Sequence, residues 1–199
     1  MLTLFLCGDV MTGRGIDQIL PHPGDARLWE TQVRDARRYV ELAESMNGPI
    51  PRPVGFAWPW GDALRTLEDV GPDVRVINLE TSVTRSDNAA DDKEVHYRTA
   101  PENVGCLTAA RPDACALANN HVLDFGPEGL VQTCEVLAGA GIPIVGAGRN
   151  ADEARRPTTI RLTGGSHVIV FSCGTTSSGI PGVRQGCLVS HDVLRKGLG

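Results

Sequence analysis

The stretch "ACALANNHVLDFG" (residues 114–126) is the part of the sequence that most directly indicates the fold, because an apolar run meets a polar cluster within it. Five apolar residues precede two asparagines, a histidine and, three residues later, an aspartate. A short run that is apolar at every position is typical of a strand buried on both faces, as in a parallel sheet. The stretch therefore predicts a buried strand that ends in side chains able to bind metals or move protons.

Similar apolar runs recur along the chain and alternate with segments of helical spacing. Strands are predicted at 2–7, 74–81, 114–120, 142–148, 158–162 and 167–174. Helical spacing, with proline near the start or glycine near the end, predicts helices at 28–48, 61–73, 101–113 and 126–141. This order predicts an α/β protein, a single domain over residues 1–199, with a largely parallel sheet covered by helices. The polar segment 85–95 is predicted to be a mobile surface loop.

Composition excludes several classes of protein. The net charge of −5 argues against nucleic-acid binding, since the one basic cluster, Arg34, Arg37 and Arg38, also carries acidic neighbours. No apolar stretch is long enough for a membrane segment, and the first ten residues lack the features of a signal peptide. The six cysteines form no Cys-x-x-Cys pair, which argues against a zinc–cysteine site. These features predict a reduced, cytoplasmic protein.

Polar side chains follow successive predicted strands. Asp9 follows the first strand, Glu80 ends the second, and Asn119, Asn120 and His121 end the third, with Asp124 close behind. The later ends carry Arg149 with Asn150, and the segment "GTTSSG" (174–179). Because ligands of open α/β sheets bind outside the carboxyl ends of the strands, these groups predict a chemical site at one sheet edge.

Two carboxylates and an amide oxygen are hard ligands. They suit Mn²⁺, Mg²⁺ or Fe²⁺, and Zn²⁺ if an imidazole joins them. Without a cation, Asp9 and Glu80 would repel each other, and His121 beside a cation would suit a general acid. Each residue also has an ordinary structural interpretation: Asp9 as a turn cap, Glu80 as a surface residue, the asparagines as turn residues, His121 as a buried hydrogen-bonded histidine, and Asp124 as a helix N-cap.

Seven motifs give the sequence a resemblance to a known family. They are "GDVMTGRG" (8–15), "WGDAL" (60–64), "INLETSVT" (77–84), "HYRTAPENV" (96–104), "LANNHVLDFG" (117–126), "GIPIVGAGRN" (141–150) and "SGIPG" (178–182). With these motifs the chain resembles the CapA family of poly-γ-glutamate (capsule) synthesis accessory proteins. The resemblance implies a calcineurin-like metallophosphatase fold, a layered αββα sandwich, and a divalent metal cofactor.

The resemblance also implies residue roles. Asp9 would be the first metal ligand, Glu80 would stand where metallophosphatases carry a bridging aspartate, and Asn120 would be the amide ligand. His121 would be the proton donor or transition-state stabiliser, with Asp124 grouped with it as catalytic. The cations expected near an anionic substrate are Arg14, Arg98 and Arg149, for which surface ion pairs are the alternative.

Two departures from the metallophosphatase pattern affect these expectations. Met11 stands where those enzymes carry a histidine, and the family's later histidine motifs are absent from the 199 residues. His167 begins a predicted strand and His191 lies on a predicted terminal helix, so neither replaces them. The chain is therefore expected to be the N-terminal portion of the family fold, incomplete at its C-terminus, with a weak metal site. An uncovered sheet edge or face would favour association with another chain, including a homo-oligomer.

Three functions follow as expectations. The first is a metal-dependent hydrolase-type site, for a phosphoester or a glutamyl amide, in poly-γ-glutamate or capsule polymer metabolism. The second is a non-catalytic accessory subunit that binds an anionic polymer or polymer-synthase subunits. The third is an inactive fragment. The resemblance also implies that family members can be membrane-associated, although the predicted cytoplasmic location of this chain includes no anchor.

Overall fold

The structure is a computed structural model that describes residues 1–91 and 93–175 and the backbone of residues 188–189. The strands are β1 (Leu4–Val10), β2 (Val74–Leu79), β3 (Ser82–Val83), β4 (Arg98–Thr99), β5 (Ala114–Ala116), β6 (Ile144–Val145), β7 (Ala147–Gly148), β8 (Thr158–Arg161), β9 (His167–Val170) and β10 (Leu188–Val189). The helices are α1 (Arg14–Ile19), α2 (Arg37–Asn47), α3 (Ala63–Val70), α4 (Gly105–Thr108), α5 (Gly126–Gly139) and α6 (Ala151–Arg155).

The central sheet is parallel and has the strand order β1-β2-β5-β6. This arrangement confirms the predicted α/β class and the largely parallel sheet. One face of the sheet packs against α5, where Ile77 and Cys115 of the sheet join Leu130 and Leu137 of the helix in one buried core. Burial of such apolar side chains is the main source of stability in a domain of this kind.

Three two-stranded sheets complete the described strands. β3 pairs with β4 in parallel, β8 with β9 in an antiparallel hairpin, and β10 with β7 in an antiparallel pair. As predicted, His167 begins a strand, but β9 belongs to this separate hairpin and not to the central sheet. Among the described helices, none combines the length and the apolar character that crossing a bilayer requires.

The helix predicted over residues 28–48 is wrong in its first part, because α2 begins at Arg37. Asp35 explains this start: its carboxylate accepts the backbone N–H of Arg37 at 2.9 Å and binds the Arg37 guanidinium. A side chain that binds the backbone locally in this way competes with the helical hydrogen bonds. Upstream, Glu30 is buried in contacts with distant residues, and these tertiary contacts outweigh the helical pattern. The short helix α1 lies between the predicted strand 2–7 and the predicted helix 28–48 and is absent from the predicted elements.

The described residues of the segment 85–95 (85–91 and 93–95) form no helix or strand, as predicted for a loop, but contacts attach them to Asp124. The ammonium group of Lys93 forms an ion pair with the buried Asp124, and the backbone N–H of Ala90 donates to the Asp124 carbonyl at 3.0 Å. The segment therefore covers the carboxyl end of the sheet. Of the remaining expectations, residues 176–179 of the segment after the last strand, the motif at 178–182 and His191 lie outside the described residues.

A buried polar cluster ties α1 to the segment that follows β4. The Asp17 carboxylate accepts three hydrogen bonds, from the backbone N–H of Ala100 at 2.9 Å, the side-chain amide of Asn103 at 2.8 Å and the backbone N–H of Gly24 at 2.8 Å. Asp17 is 3 % exposed. Its removal would leave three donors without an acceptor inside the protein.

We expect Asp17→Ala to lower the free energy of unfolding by about 2–3 kcal/mol, because a buried donor without a partner costs about 1–3 kcal/mol and some of the three will relax. Urea denaturation followed by circular dichroism measures the change. Asp69→Ala is the matched control, since Asp69 is exposed, and it should change stability by less than about 0.5 kcal/mol. Equal effects of the two substitutions would contradict a structural role for the cluster.

Candidate active site

Asp9 and Glu80 lie at the ends of adjacent parallel strands. Val10 is in register with Leu79, and the backbone N–H of Glu80 donates to the Val10 carbonyl at 3.0 Å. The register of β1 shifts between Cys7 and Val10, and Asp9 there has a φ of 52°. Such a left-handed backbone is uncommon outside glycine, and backbone outliers of this kind are frequent at functional sites. The bulge thus places a carboxylate beside Glu80.

A relay of side-chain amides connects the ends of β1, β2 and β5. The amide nitrogen of Asn78 donates to Asp9 Oδ1 at 3.0 Å. The amide nitrogen of Asn119 donates to Asn78 Oδ1 at 3.0 Å and to the Leu79 carbonyl at 2.9 Å, while its Oδ1 accepts the backbone N–H of His121 at 3.0 Å. Both polar atoms of the Asn119 amide are therefore used in holding the strand ends in place.

The imidazole of His121 is oriented from behind by Asp124. His121 Nδ1 lies 2.7 Å from Asp124 Oδ2, which also accepts the backbone N–H of Tyr97 at 2.6 Å. The other carboxylate oxygen of Asp124 pairs with the ammonium group of Lys93. Asp124 is completely buried, and α5 begins without a side-chain cap, so the alternative interpretation of Asp124 as a helix N-cap is wrong.

The ring nitrogen of His121 that does not face Asp124 points toward Glu80. His121 Nε2 lies 3.8 Å from Glu80 Oε1. The ring itself stacks on Tyr97, with centroids 4.0 Å apart and an angle of 27° between the planes. A histidine bonded at Nδ1 to a carboxylate and held in plane by stacking has a fixed tautomer and a fixed direction for Nε2. Nε2 is therefore the atom available for proton transfer.

The charge of Asp9 acts on the neighbouring carboxyl group of Glu80. Burial raises the pKa of Glu80, the charge of Asp9 raises it further, and the neighbouring His121 lowers it. Two carboxylates brought together in this way hold negative potential at the carboxyl end of the sheet. A divalent cation would relieve their repulsion, and the hard oxygen donors suit Mn²⁺ or Mg²⁺.

The donor set fits a cation only in part. Over residues 1–91 and 93–175, no group of three or more His, Cys, Asp and Glu side chains is arranged to hold a metal ion. Asp9, Glu80 and His121 come together, and the half-buried Asn120 lies beside His121. The metal-binding roles of Asp9, Glu80 and Asn120 stay predictions. A cation held by these residues would keep several water ligands and bind weakly.

The three predicted substrate-binding arginines lie in different surroundings. Arg14 packs over Tyr97, the ring that stacks on His121, with Cζ 4.7 Å from the ring centroid. Arg98 lines a cavity of about 210 Å³ with other polar residues and donates to Asp87 at 2.8 Å. Arg149 is exposed and pairs with Glu153 at the start of α6, as the surface-ion-pair alternative expects. Substrate binding by any of the three stays a prediction.

Lys93 and Tyr97 were not identified as site residues from the sequence. Lys93 lies in a polar segment whose pattern indicates only exposure, and nothing local marks it as a partner of Asp124. Tyr97 lies within a motif that carried the family resemblance, "HYRTAPENV" (96–104), so its neighbourhood was already marked. Both side chains become part of the site only through contacts with residues 24 to 31 positions away.

The fold and site together define an α/β protein with carboxylate, amide and imidazole groups collected at the carboxyl ends of parallel strands. The chain belongs to the bacterial capsule synthesis protein family PGA_cap, whose family model matches residues 3–189. This match confirms the resemblance to the CapA family that the sequence motifs indicated.

The names of similar proteins refer to polyglutamine synthesis and PGA biosynthesis. The chain is 54 % identical over 181 residues to a probable polyglutamine synthesis accessory protein of Mycobacterium tuberculosis. The matched region covers 91 % of this chain and 48 % of that protein. The chain is 33 % identical over 177 residues to the PGA biosynthesis protein CapA of Bacillus subtilis, covering 88 % of this chain and 37 % of that protein. The chain thus spans about half the length, or less, of the relatives it matches.

Proposed function

We propose that this chain carries a metal-dependent hydrolase-type site that acts on a phosphoester or a glutamyl amide in the synthesis of poly-γ-glutamate or a related capsule polymer. One observation carries the proposal: His121 is oriented by the buried Asp124 and directs Nε2 toward Glu80, which lies beside Asp9. The polymer class comes from the names of the relatives. The parallel sheet and the family resemblance support a calcineurin-like fold for the whole protein.

A divalent cation would be held by the carboxylates of Asp9 and Glu80, with the amide oxygen of Asn120 as a further ligand. Its contribution would be Lewis-acid activation of water and of the bond to be broken. The chain's own residues supply the rest. The amide relay through Asn78 and Asn119 holds the Asp9 carboxylate and the backbone at Leu79, next to Glu80, so that little rearrangement is needed when the cation binds.

Proton transfer is assigned to His121. With Nδ1–H bonded to Asp124, the ring donates a proton from Nε2 to the leaving group when both nitrogens are protonated. Stacking on Tyr97 keeps the ring in plane, and Lys93 balances the buried charge of Asp124. Proton donation by a positioned histidine contributes about 10²- to 10⁴-fold to the rate in enzymes.

A second candidate function is a non-catalytic accessory subunit that holds an anionic polymer, or a polymer-synthase subunit, in the same cleft. The observation that favours it is the incomplete set of metal donors among the residues the structure describes. The two functions differ in their response to a chelator. Polymer binding by an accessory subunit persists in EDTA without turnover, whereas hydrolysis stops.

We expect Mn²⁺ to bind the purified chain weakly, and Asp9→Asn and Glu80→Gln each to reduce the affinity at least about tenfold, because each substitution removes a charged oxygen ligand. Isothermal titration calorimetry with MnCl₂, repeated with ZnCl₂, measures the affinity. Asp69→Asn, an exposed aspartate, is the matched control. Absence of binding to the wild-type chain would reject the metal-dependent form and leave the accessory function.

A further inference from the structure

We infer that Arg14 is the anchor for an oxyanion group of the substrate, a carboxylate or a phosphate. Its guanidinium lies over Tyr97, and the Tyr97 ring stacks on His121. The inference rests on the proposed function for its substrate class. It goes further by naming the residue that sets the position of the substrate relative to the reacting bond.

The guanidinium of Arg14 is held on several sides. Nε donates to Glu30 Oε1 at 2.7 Å, and Glu30 is 8 % exposed. The other carboxylate oxygen of Glu30 accepts the Tyr39 hydroxyl. Cζ of Arg14 lies 4.9 Å from the centroid of Tyr39 and 4.7 Å from that of Tyr97. Cation–π contacts on two rings, together with a buried ion pair, leave the side chain little freedom before a ligand arrives.

The two terminal nitrogens of this guanidinium remain available. Within residues 1–91 and 93–175, Nη1 and Nη2 of Arg14 have no hydrogen-bond partner, and the side chain is 20 % exposed. A guanidinium bonded through Nε still presents its terminal N–H groups, whose fork matches the two oxygens of a carboxylate or phosphate. By contrast, Arg98 and Arg149 use terminal nitrogens in ion pairs with Asp87 and Glu153.

The backbone also fixes Arg14 relative to the site. Arg14 has a φ of 49°, a left-handed conformation that is uncommon for a non-glycine residue. Gly13 packs directly on the backbone of Arg98, where an added Cβ would approach the carbonyl oxygen to 2.7 Å. Arg98 follows Tyr97 in the chain, so residues 13–14 and 97–98 are held together. Strain of this kind persists only where surrounding contacts enforce it, and Arg14 in this conformation lies over Tyr97, the ring that stacks on His121.

This placement suits a γ-glutamyl chain. Each γ-linked unit carries an α-carboxylate that is only a few bonds from the amide bond joining it to its neighbour. An anchor that holds one carboxylate beside Tyr97 would therefore bring a nearby amide bond toward His121 Nε2. A phosphate group would use the same fork, so the two sources of the oxyanion must be separated by experiment.

The test is calorimetric titration of the chain, in EDTA at fixed ionic strength, with γ-linked triglutamate in one series and inorganic phosphate in another. Arg14→Gln should weaken triglutamate binding about tenfold, the usual loss for a charge-assisted hydrogen bond. Because Arg14→Gln leaves the buried Glu30 without its cation, the double variant Arg14→Gln/Glu30→Gln is measured beside it and should show the same loss. Arg65→Gln, on an exposed arginine, is the matched control and should bind like wild type.

The outcomes separate this inference from the proposed hydrolase. Equal triglutamate affinity in wild type and the double variant, or no binding of either probe to wild type, overturns the anchor even if Mn²⁺-dependent turnover is present. Arg14-dependent binding without any turnover supports the anchor and rejects the hydrolase. Arg14-dependent binding of phosphate but not of triglutamate supports the anchor with a phosphate ester as the substrate group.

Discussion

Asp124→Asn should lower the free energy of unfolding by about 3 kcal/mol, near the lower end of the cost of breaking a buried ion pair by removing one partner. The substitution is nearly isosteric, so no cavity forms, but the half-buried Lys93 loses its counter-ion. The new amide has one oxygen in place of two. With that oxygen at the Oδ2 position, the bonds from Tyr97 N–H and His121 Nδ1 remain but the amide NH₂ faces the Lys93 ammonium; in the reverse orientation both of those donors lose their acceptor. For a chain of this size the melting temperature should fall by about 6–12 °C, which differential scanning calorimetry measures.

The double variant Asp124→Asn/Lys93→Met separates charge from hydrogen bonding. Removing Lys93 together with the carboxylate leaves no unpaired charge, so the double variant should be more stable than Asp124→Asn alone, with a coupling energy of about 1–3 kcal/mol. Lys93→Met alone also serves as a probe of the 85–95 segment, since Lys93 attaches it to the site. Additive effects of the two single substitutions would mean that the ion pair contributes nothing to stability.

The central sheet was predictable because each of its strands is marked by a local apolar run. Val74–Leu79 and Ala114–Ala116 are apolar enough to indicate burial without any knowledge of their neighbours, and parallel strands necessarily bring their carboxyl ends to one edge. The proximity of Glu80 and His121 follows from that rule alone. The family resemblance then added roles to residues that the rule had already collected.

The parts that the sequence did not reveal depend on long-range contacts. The helix predicted from residue 28 begins only at Arg37, because Glu30 is engaged by Arg14, 16 residues away, and Asp35 binds the backbone ahead of the helix. The spacing of apolar residues along the chain does not indicate which distant residues a side chain will contact. The same holds for Lys93, whose surroundings along the chain are polar although its side chain reaches a fully buried carboxylate.

The roles of the adjacent residues Asn119 and Asn120 could not be distinguished from the sequence. The sequence predicts Asn119 and Asn120 together at a strand end, and the family resemblance implies that Asn120 is the amide ligand. The structure gives Asn119 the structural role, since its amide bonds to Asn78, Leu79 and the backbone of His121. Among the residues that the structure describes, Asn120 uses only its backbone carbonyl, which accepts from Lys93, so its side chain is available for a ligand. Adjacent identical residues can be distinguished only once the backbone direction at the strand end is known.

The second large effect concerns chemistry. If the site is hydrolytic, His121→Ala should reduce Mn²⁺-dependent turnover about 10²- to 10⁴-fold, because the leaving group loses its proton donor. Substrates to be assayed are p-nitrophenyl phosphate and γ-linked glutamate oligomers, so that both proposed bond types are covered. Mn²⁺ affinity, which the proposal assigns to Asp9 and Glu80, should change far less than turnover. That separation distinguishes loss of a proton donor from collapse of the whole site.

The control for His121 is His167, an exposed histidine at the start of β9, whose replacement by alanine should leave turnover unchanged. Because His121→Ala also removes the ring that stacks on Tyr97, His121→Gln is assayed with it to retain a polar side chain of similar reach. Turnover in both His121 variants within about threefold of wild type would remove His121 from the chemistry. Asp124 would then be structural only, and the tight Nδ1–Asp124 contact would serve to pin the strand end that carries Asn119 and Asn120 rather than to orient a proton donor.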